Sequence, residues 1–287
     1  MAVEGNLASP RTQVETIVIK PQRGWSALNL RDLWLYRELI YFLTWRDVKV
    51  RYKQAFLGVT WAVIQPVLTV LVFTVIFGNL AGLAEDGTPY ALSSLAAILP
   101  WTLFSTGLTK SSLSLVASAN LLTKVYFPRL AIPLSSVVSG LVDFGVSLII
   151  LLGMMFYYNY LPTWRLLWLL PMTLLALLAA FSVGLWLSSL NVQYRDVQHM
   201  VPFLSMIWMY ASPVVYSSEY IVKRLGFLSW VYPINPIAGV IDGFRYAILG
   251  GDLPYRSLVI STLVVLIVLV SGLFYFRRME RMFADNV

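Results

Sequence analysis

Arg46, Lys49, Arg51 and Lys53 close a polar segment, and an apolar run begins at Phe56 and continues to about Leu83. Cations clustered at a membrane surface attract phosphates and anionic headgroups. The same pattern also serves orientation, because cytosolic flanks of spanning helices favour Lys and Arg. Tyr52 and Trp61 stand where interfacial aromatics stand. Gln65-Pro66 falls inside the apolar run, where a spanning helix tolerates proline if neighbours satisfy the freed carbonyl. Asp143 is the main acid inside an apolar run. Such a group either hydrogen-bonds within the bundle or stands on a pathway, and both readings are open at this level.

Other chemistry is excluded by residue type. The chain has no cysteine, which removes disulfides, thiolate metal sites and cysteine nucleophiles. His199 is the single histidine, so one chain holds no histidine metal cluster. No GxxxxGK[ST] phosphate loop occurs, and the scattered serines build no nucleophile constellation. Intramembrane acids are too sparse for the usual proton-coupled carrier.

The elements that must carry these residues follow from composition. Of 287 residues, 59% are hydrophobic and 12% charged, with a mean hydropathy of +0.74. That balance specifies a multi-spanning membrane protein, and apolar runs near the ~20 residues a helix needs to cross predict an all-α polytopic one. Residues 1–57 read as a cytosolic tail and an interfacial helix, and residues 58–287 as the transmembrane domain. The tail lacks the apolar core of a cleaved leader. Residues 31–54 predict an amphipathic helix in the headgroup plane, capped by Asn29, with Leu35, Leu39, Phe42, Leu43 and Val50 on its apolar face. Six spans are expected at 58–83, 92–115, 132–158, 166–190, 201–220 and 257–276. Sixteen of the 21 Lys and Arg residues then fall on one side and five on the other. The positive-inside rule places the first side, with both termini, in the cytosol. The net charge of +7 is thereby explained by a membrane, without a nucleic-acid partner.

Two connections stand apart. Residues 118–131 form a short cytosolic link containing Asn120, Lys124, Tyr126 and Arg129. Residues 217–256 are too long for a simple turn, and their apolar backbone is broken at Pro233, Asn235, Pro236 and Gly239. Broken backbone at membrane depth must lie against protein or line a cavity, which predicts short re-entrant helices on either side of Asn235-Pro236.

The wording of five stretches is more specific than their composition. RDVKVRYKQAFLGVTWAVIQP (46–66), LLTKVYFPRLAIP (121–133), NVQYRDVQHMVP (191–202), YASPVVY (210–216) and NPIAGVIDGFRYAILG (235–250) resemble the permeases of ATP-binding-cassette (ABC) exporters for polysaccharides. These are the O-antigen and teichoic-acid export permeases of the type-2 ABC transporter superfamily. The resemblance implies a homodimer enclosing a pathway, two copies of a separate cytosolic ATPase that binds ATP and Mg, and a lipid-linked glycan moved across the bacterial cytoplasmic membrane. It assigns ATPase docking to Asn120, Lys124, Tyr126 and Arg129, and an external gate to Asn235, Pro236 and Arg245. No cofactor or catalytic residue is expected in the chain itself.

A glycan passage needs aromatic faces for sugar rings, and Trp61, Phe73, Phe77, Trp101, Phe104, Tyr210 and Tyr216 are the candidates. Arg46, Lys49, Arg51 and Lys53 suit recruitment of a diphosphate headgroup from membrane lipid. Two other readings remain at this level: a related exporter of drugs or small lipids, and a membrane-embedded transferase. The latter needs an acid or histidine set at the membrane surface that the sequence does not assemble.

Overall fold

The computed structural model describes residues 30–53, 58–83, 88–218, 220–221, 226, 231–280 and 283. Residues 1–29, which hold the expected tail and the Asn29 cap, lie outside the described residues. Among the described residues every regular element is helical. The chain begins with α1 (Leu30–Leu35) and α2 (Arg37–Lys53). Then α3 (Gly58–Phe73) runs on as a π-helical stretch (Thr74–Leu80), and α4 (Tyr90–Ala117) and α5 (Ala119–Lys124) follow. Next come α6 (Ala131–Val138), α7 (Leu141–Tyr157), a 3-10 turn (Trp164–Trp168) and α8 (Leu169–Gln193). The chain continues through α9 (Val197–Tyr210), a 3-10 turn (Tyr232–Ile234), α10 (Ala238–Leu249) and α11 (Tyr255–Met279).

Five helical stretches among the described residues are long and apolar enough to cross a bilayer: Thr60–Leu80, Tyr90–Ala117, Ala131–Tyr157, Trp164–Gln193 and Tyr255–Met279. The third combines α6 and α7 across a turn at Ser139-Gly140. The sixth expected span, 201–220, is not one long helix. Its helical part, α9, has 14 residues, a rise of about 21 Å against a hydrocarbon core of about 30 Å. Pro213 disfavours helical backbone at Ser212, and residues 211–216 leave the helix in turns.

The core is built on α4 against α8. Facing small residues allow close approach, as is usual between helices in lipid, which lacks a hydrophobic drive to join them. Gly107 lies against Ala180, and Gly184 sits so close to Ser111 that a Cβ there would collide with it. Asn191 closes one end of the pair by donating to the Ser112 carbonyl at 3.0 Å. On the other face of α8, Trp186 stacks on Tyr275 of α11 with ring centroids 4.4 Å apart. Helix α10 is buried almost throughout and packs on α11, α4, α8 and the Trp164–Trp168 turn. It is the re-entrant helix expected after Asn235-Pro236. Before that pair, the described structure is the Tyr232–Ile234 turn.

Helix α2 packs on α6, but through a face rotated from the one expected. Leu43 and Val48 are buried and Leu39 is partly buried, whereas Leu35, Phe42 and Val50 are exposed. The Thr44 hydroxyl donates to the Ile40 carbonyl on this packed face. The exposed side of α2 carries Tyr41, Phe42 and Trp45, and Trp34 of α1 is exposed as well, side chains suited to a membrane interface. A single apolar stripe was therefore the wrong pattern: one side of α2 meets protein, and another presents aromatics outward.

Candidate functional site

Asp143 occupies the first turn of α7, and α2 reaches it from across the bundle. Arg51 forms an ion pair with the Asp143 carboxylate, and the Tyr52 hydroxyl donates to the same carboxylate. Lys110, on α4, places its ammonium 3.9 Å from it. One carboxylate is thus shared by two cations and a phenol from two other helices, α2 and α4. Burial, reinforced by the facing carboxylate, pushes the Tyr52 phenol up from 10.0 to about 12. Of the two roles open to Asp143, the hydrogen-bonding one is realised, and it is realised on the wall of a cavity.

That cavity has a volume of about 630 Å³ and lies between α3, α4 and α7. Arg51, Tyr52, Lys110 and Asp143 line it. So do Trp61, Gln65, Pro66, Thr69 and Phe73 along one face of α3. From α4 come Leu95, Leu99, Thr102, Ser105 and Thr106. The hydroxyls of Thr69, Thr102 and Ser147 donate to carbonyls of their own helices, which leaves their oxygens able to accept from a ligand.

The structure separates the seven aromatic candidates. Trp61, Phe73 and Trp101 line the cavity. Phe77 packs edge-on against Phe73 at 5.3 Å. Phe104 is fully buried between Trp101 and Trp208 and is not on the cavity lining. Tyr210 and Tyr216 lie at the end of α9, where the Tyr216 hydroxyl donates to the Tyr210 carbonyl at 2.6 Å.

The four clustered cations also divide. Arg46 pairs with neighbouring Asp47 at 2.8 Å, and Lys49 and Lys53 are exposed. Arg51 alone turns inward to the cavity. Sequence reasoning missed Lys110 as a site residue. Its signal was plain: a lysine within an apolar span is costly and needs a reason.

At the 118–131 connection, α5 does form, its last residue Lys124 is exposed, and so are Val125 and Tyr126 just beyond it. Asn120 is exposed as well. Arg129 is held within the chain instead: its guanidinium donates to the Glu280 carbonyl and lies over the Phe283 ring. Near the other end of the bundle, Asn235 joins α9 to α10. It accepts from the Trp208 indole at 3.0 Å and donates to Ser212 at 2.8 Å. Pro236 is buried beside it. Arg245 donates to the carbonyls of Tyr216 and Val214, fastening the turn after α9. Asp242, which the sequence reading passed over, accepts from Ser218 and Ser257 and so ties that turn to α11.

A bundle with five helical stretches long and apolar enough to span a bilayer, a short buried helix before the last of them and a cavity between α3, α4 and α7 defines a polytopic helical membrane protein. The family model of the ABC-2 type transporter matches residues 38–249, and the chain belongs to that family. It is 30% identical to the O-antigen export system permease protein RfbA of Myxococcus xanthus over 261 residues, 90% of this chain and 98% of that protein. An O-antigen export system permease protein RfbA of Klebsiella pneumoniae is 29% identical over 249 residues, 86% of this chain and 94% of the relative.

Proposed function

We infer that the chain is the permease of an ATP-driven exporter for lipid-linked polysaccharide of the O-antigen type, seated in the bacterial inner membrane. The observation that carries this reading is likeness to O-antigen export permeases along nearly the whole of both chains. The sequence has no phosphate loop, so ATP hydrolysis is assigned to a separate ATPase. Two copies of that subunit would serve a permease homodimer, with Mg and ATP bound on them. The exposed Tyr126, beside α5, is the side chain best placed to meet such a partner. The charge asymmetry supports cytosolic termini and an external position for the α9–α10 turn.

The test is reconstitution of the chain with its ATPase in proteoliposomes. Lipid-linked glycan is expected to stimulate hydrolysis, and Tyr126→Ala to weaken the complex. Hydrolysis by the chain alone, or a complex indifferent to lipid-linked glycan, would overturn the reading.

A further inference from the structure

The Lys110 ammonium is shielded from solvent and finds no hydrogen-bond acceptor among the described residues. An ammonium carries three donors and is costly to bury with none of them satisfied. Its nearest opposite charge, Asp143, is 3.9 Å away and already holds Arg51 and Tyr52. Two cations therefore face one carboxylate, and both residues stand on the cavity lining.

The cavity has a direction. On α4 its lining runs from Lys110 through Thr106, Thr102 and Leu99 to Leu95, a helical rise of about 22 Å. On α3 it runs antiparallel from Trp61 to Phe73. All the charge lies at the Lys110 end, and the far end is walled by Phe73, Leu95 and Ile98. A slot charged at one end, lined by hydroxyls and Gln65 along its middle and by Phe73, Leu95 and Ile98 at the far end, matches an amphipathic molecule with an anionic head.

We propose that Lys110 and Arg51 form an intramembrane site for the phosphate or diphosphate of a lipid-linked ligand, with Asp143 as the resident counter-ion that the ligand displaces. Lys110 supplies the unused donors, and Arg51 becomes available when its pair with Asp143 opens. Tyr52 stays with Asp143 and receives it as it turns away from Arg51. The hydroxyl oxygens of Thr102 and Thr69 flank the path of the adjoining group. This inference rests on the exporter reading for the identity of the lipid. The site itself rests on geometry: a buried ammonium without a hydrogen bond, at the charged end of an oriented cavity.

The chain has no cysteine, so Ser105→Cys places one thiol on the cavity wall. The full chain carrying it is placed in phosphatidylcholine nanodiscs, and its reaction with a small methanethiosulfonate is followed. Farnesyl diphosphate is expected to protect the thiol, while farnesol and inorganic diphosphate protect poorly. Adding Lys110→Gln is expected to raise the protecting concentration about tenfold, the worth of one charge-assisted contact. Lys110→Arg is expected to keep protection, and Asp143→Asn to strengthen it by removing the competing carboxylate.

Equal protection by farnesol would make the cavity merely apolar and overturn the site. Equal protection by inorganic diphosphate would overturn the lipid-linked ligand. Protection unchanged by Lys110→Gln would remove Lys110 from the site. The farnesol and inorganic diphosphate comparisons need only the single thiol, so they stand even if Lys110→Gln fails to fold. No ATPase or glycan enters the assay, and its failure would leave the exporter reading to its own test.

Discussion

Arg51, in the last turn of α2, is ion-paired with Asp143, in the first turn of α7, across ninety-two residues of sequence. The pair ties the helix expected at the membrane surface to the transmembrane bundle. Both side chains are about 30% exposed, so the pair is neither a dry ion pair nor a fully solvated one. Breaking it by Arg51→Gln or Asp143→Asn is expected to cost roughly 1–2 kcal/mol. Asp143→Asn should cost the more, because it leaves two cations without their carboxylate. Thermal unfolding of the single and double variants in detergent measures this. A double variant as unstable as the two single losses added together would show that the side chains do not act as a pair.

Tyr52 gives the same junction a pH signature. Its phenol is raised from 10.0 to about 12. A raised folded-state value means the folded chain holds the proton more tightly than the unfolded chain. The contribution is present in full below pH 10 and is lost as pH rises through about 12. Stability should therefore fall across that window, and the part due to this residue should vanish in Tyr52→Phe. The difference in tyrosinate absorbance between wild type and Tyr52→Phe locates the titration directly. A difference band centred at 10 would contradict the packing described.

The remaining cations of the cluster are predicted to act at the surface. Arg46, Lys49 and Lys53 do not line the cavity, and a cation near anionic lipid contributes about 1 kcal/mol. Changing all three to Gln should leave insertion intact, since many other Lys and Arg residues set orientation, while lowering polysaccharide export per assembled complex. Single changes should be mild. Unchanged export per complex in the triple variant would reduce these residues to membrane anchors.

What the sequence revealed, and what it hid, follows from the range of the forces involved. Spans at 92–115 and 257–276 were legible because length and hydropathy are local, and the helices Tyr90–Ala117 and Tyr255–Met279 enclose them. The re-entrant helix was legible because Pro233, Asn235 and Pro236 punctuate an apolar stretch. The shortness of α9 was signalled by Ser212-Pro213, but the apolar run across it was read as one span. Arg51 was grouped with its sequence neighbours because nothing local distinguishes it from Lys49 or Lys53. Its partner comes from α7, and long-range pairing leaves no periodic trace. Lys110 was counted for orientation alone, although a lysine inside an apolar span already marks a group that needs a partner; which partner it meets is long-range and not legible. The α2 face failed for a related reason: a helix between protein and lipid is apolar on more than one side.

The central proposal is that the chain moves lipid-linked polysaccharide across the inner membrane. The most direct measurement is surface polysaccharide in cells lacking the chain, compared with the same cells re-expressing it at a verified level in the membrane. The account predicts loss of surface polysaccharide with lipid-linked glycan retained inside, and recovery of the surface material on re-expression. Surface polysaccharide undiminished in the absence of the chain, with no lipid-linked glycan building up inside, would contradict it.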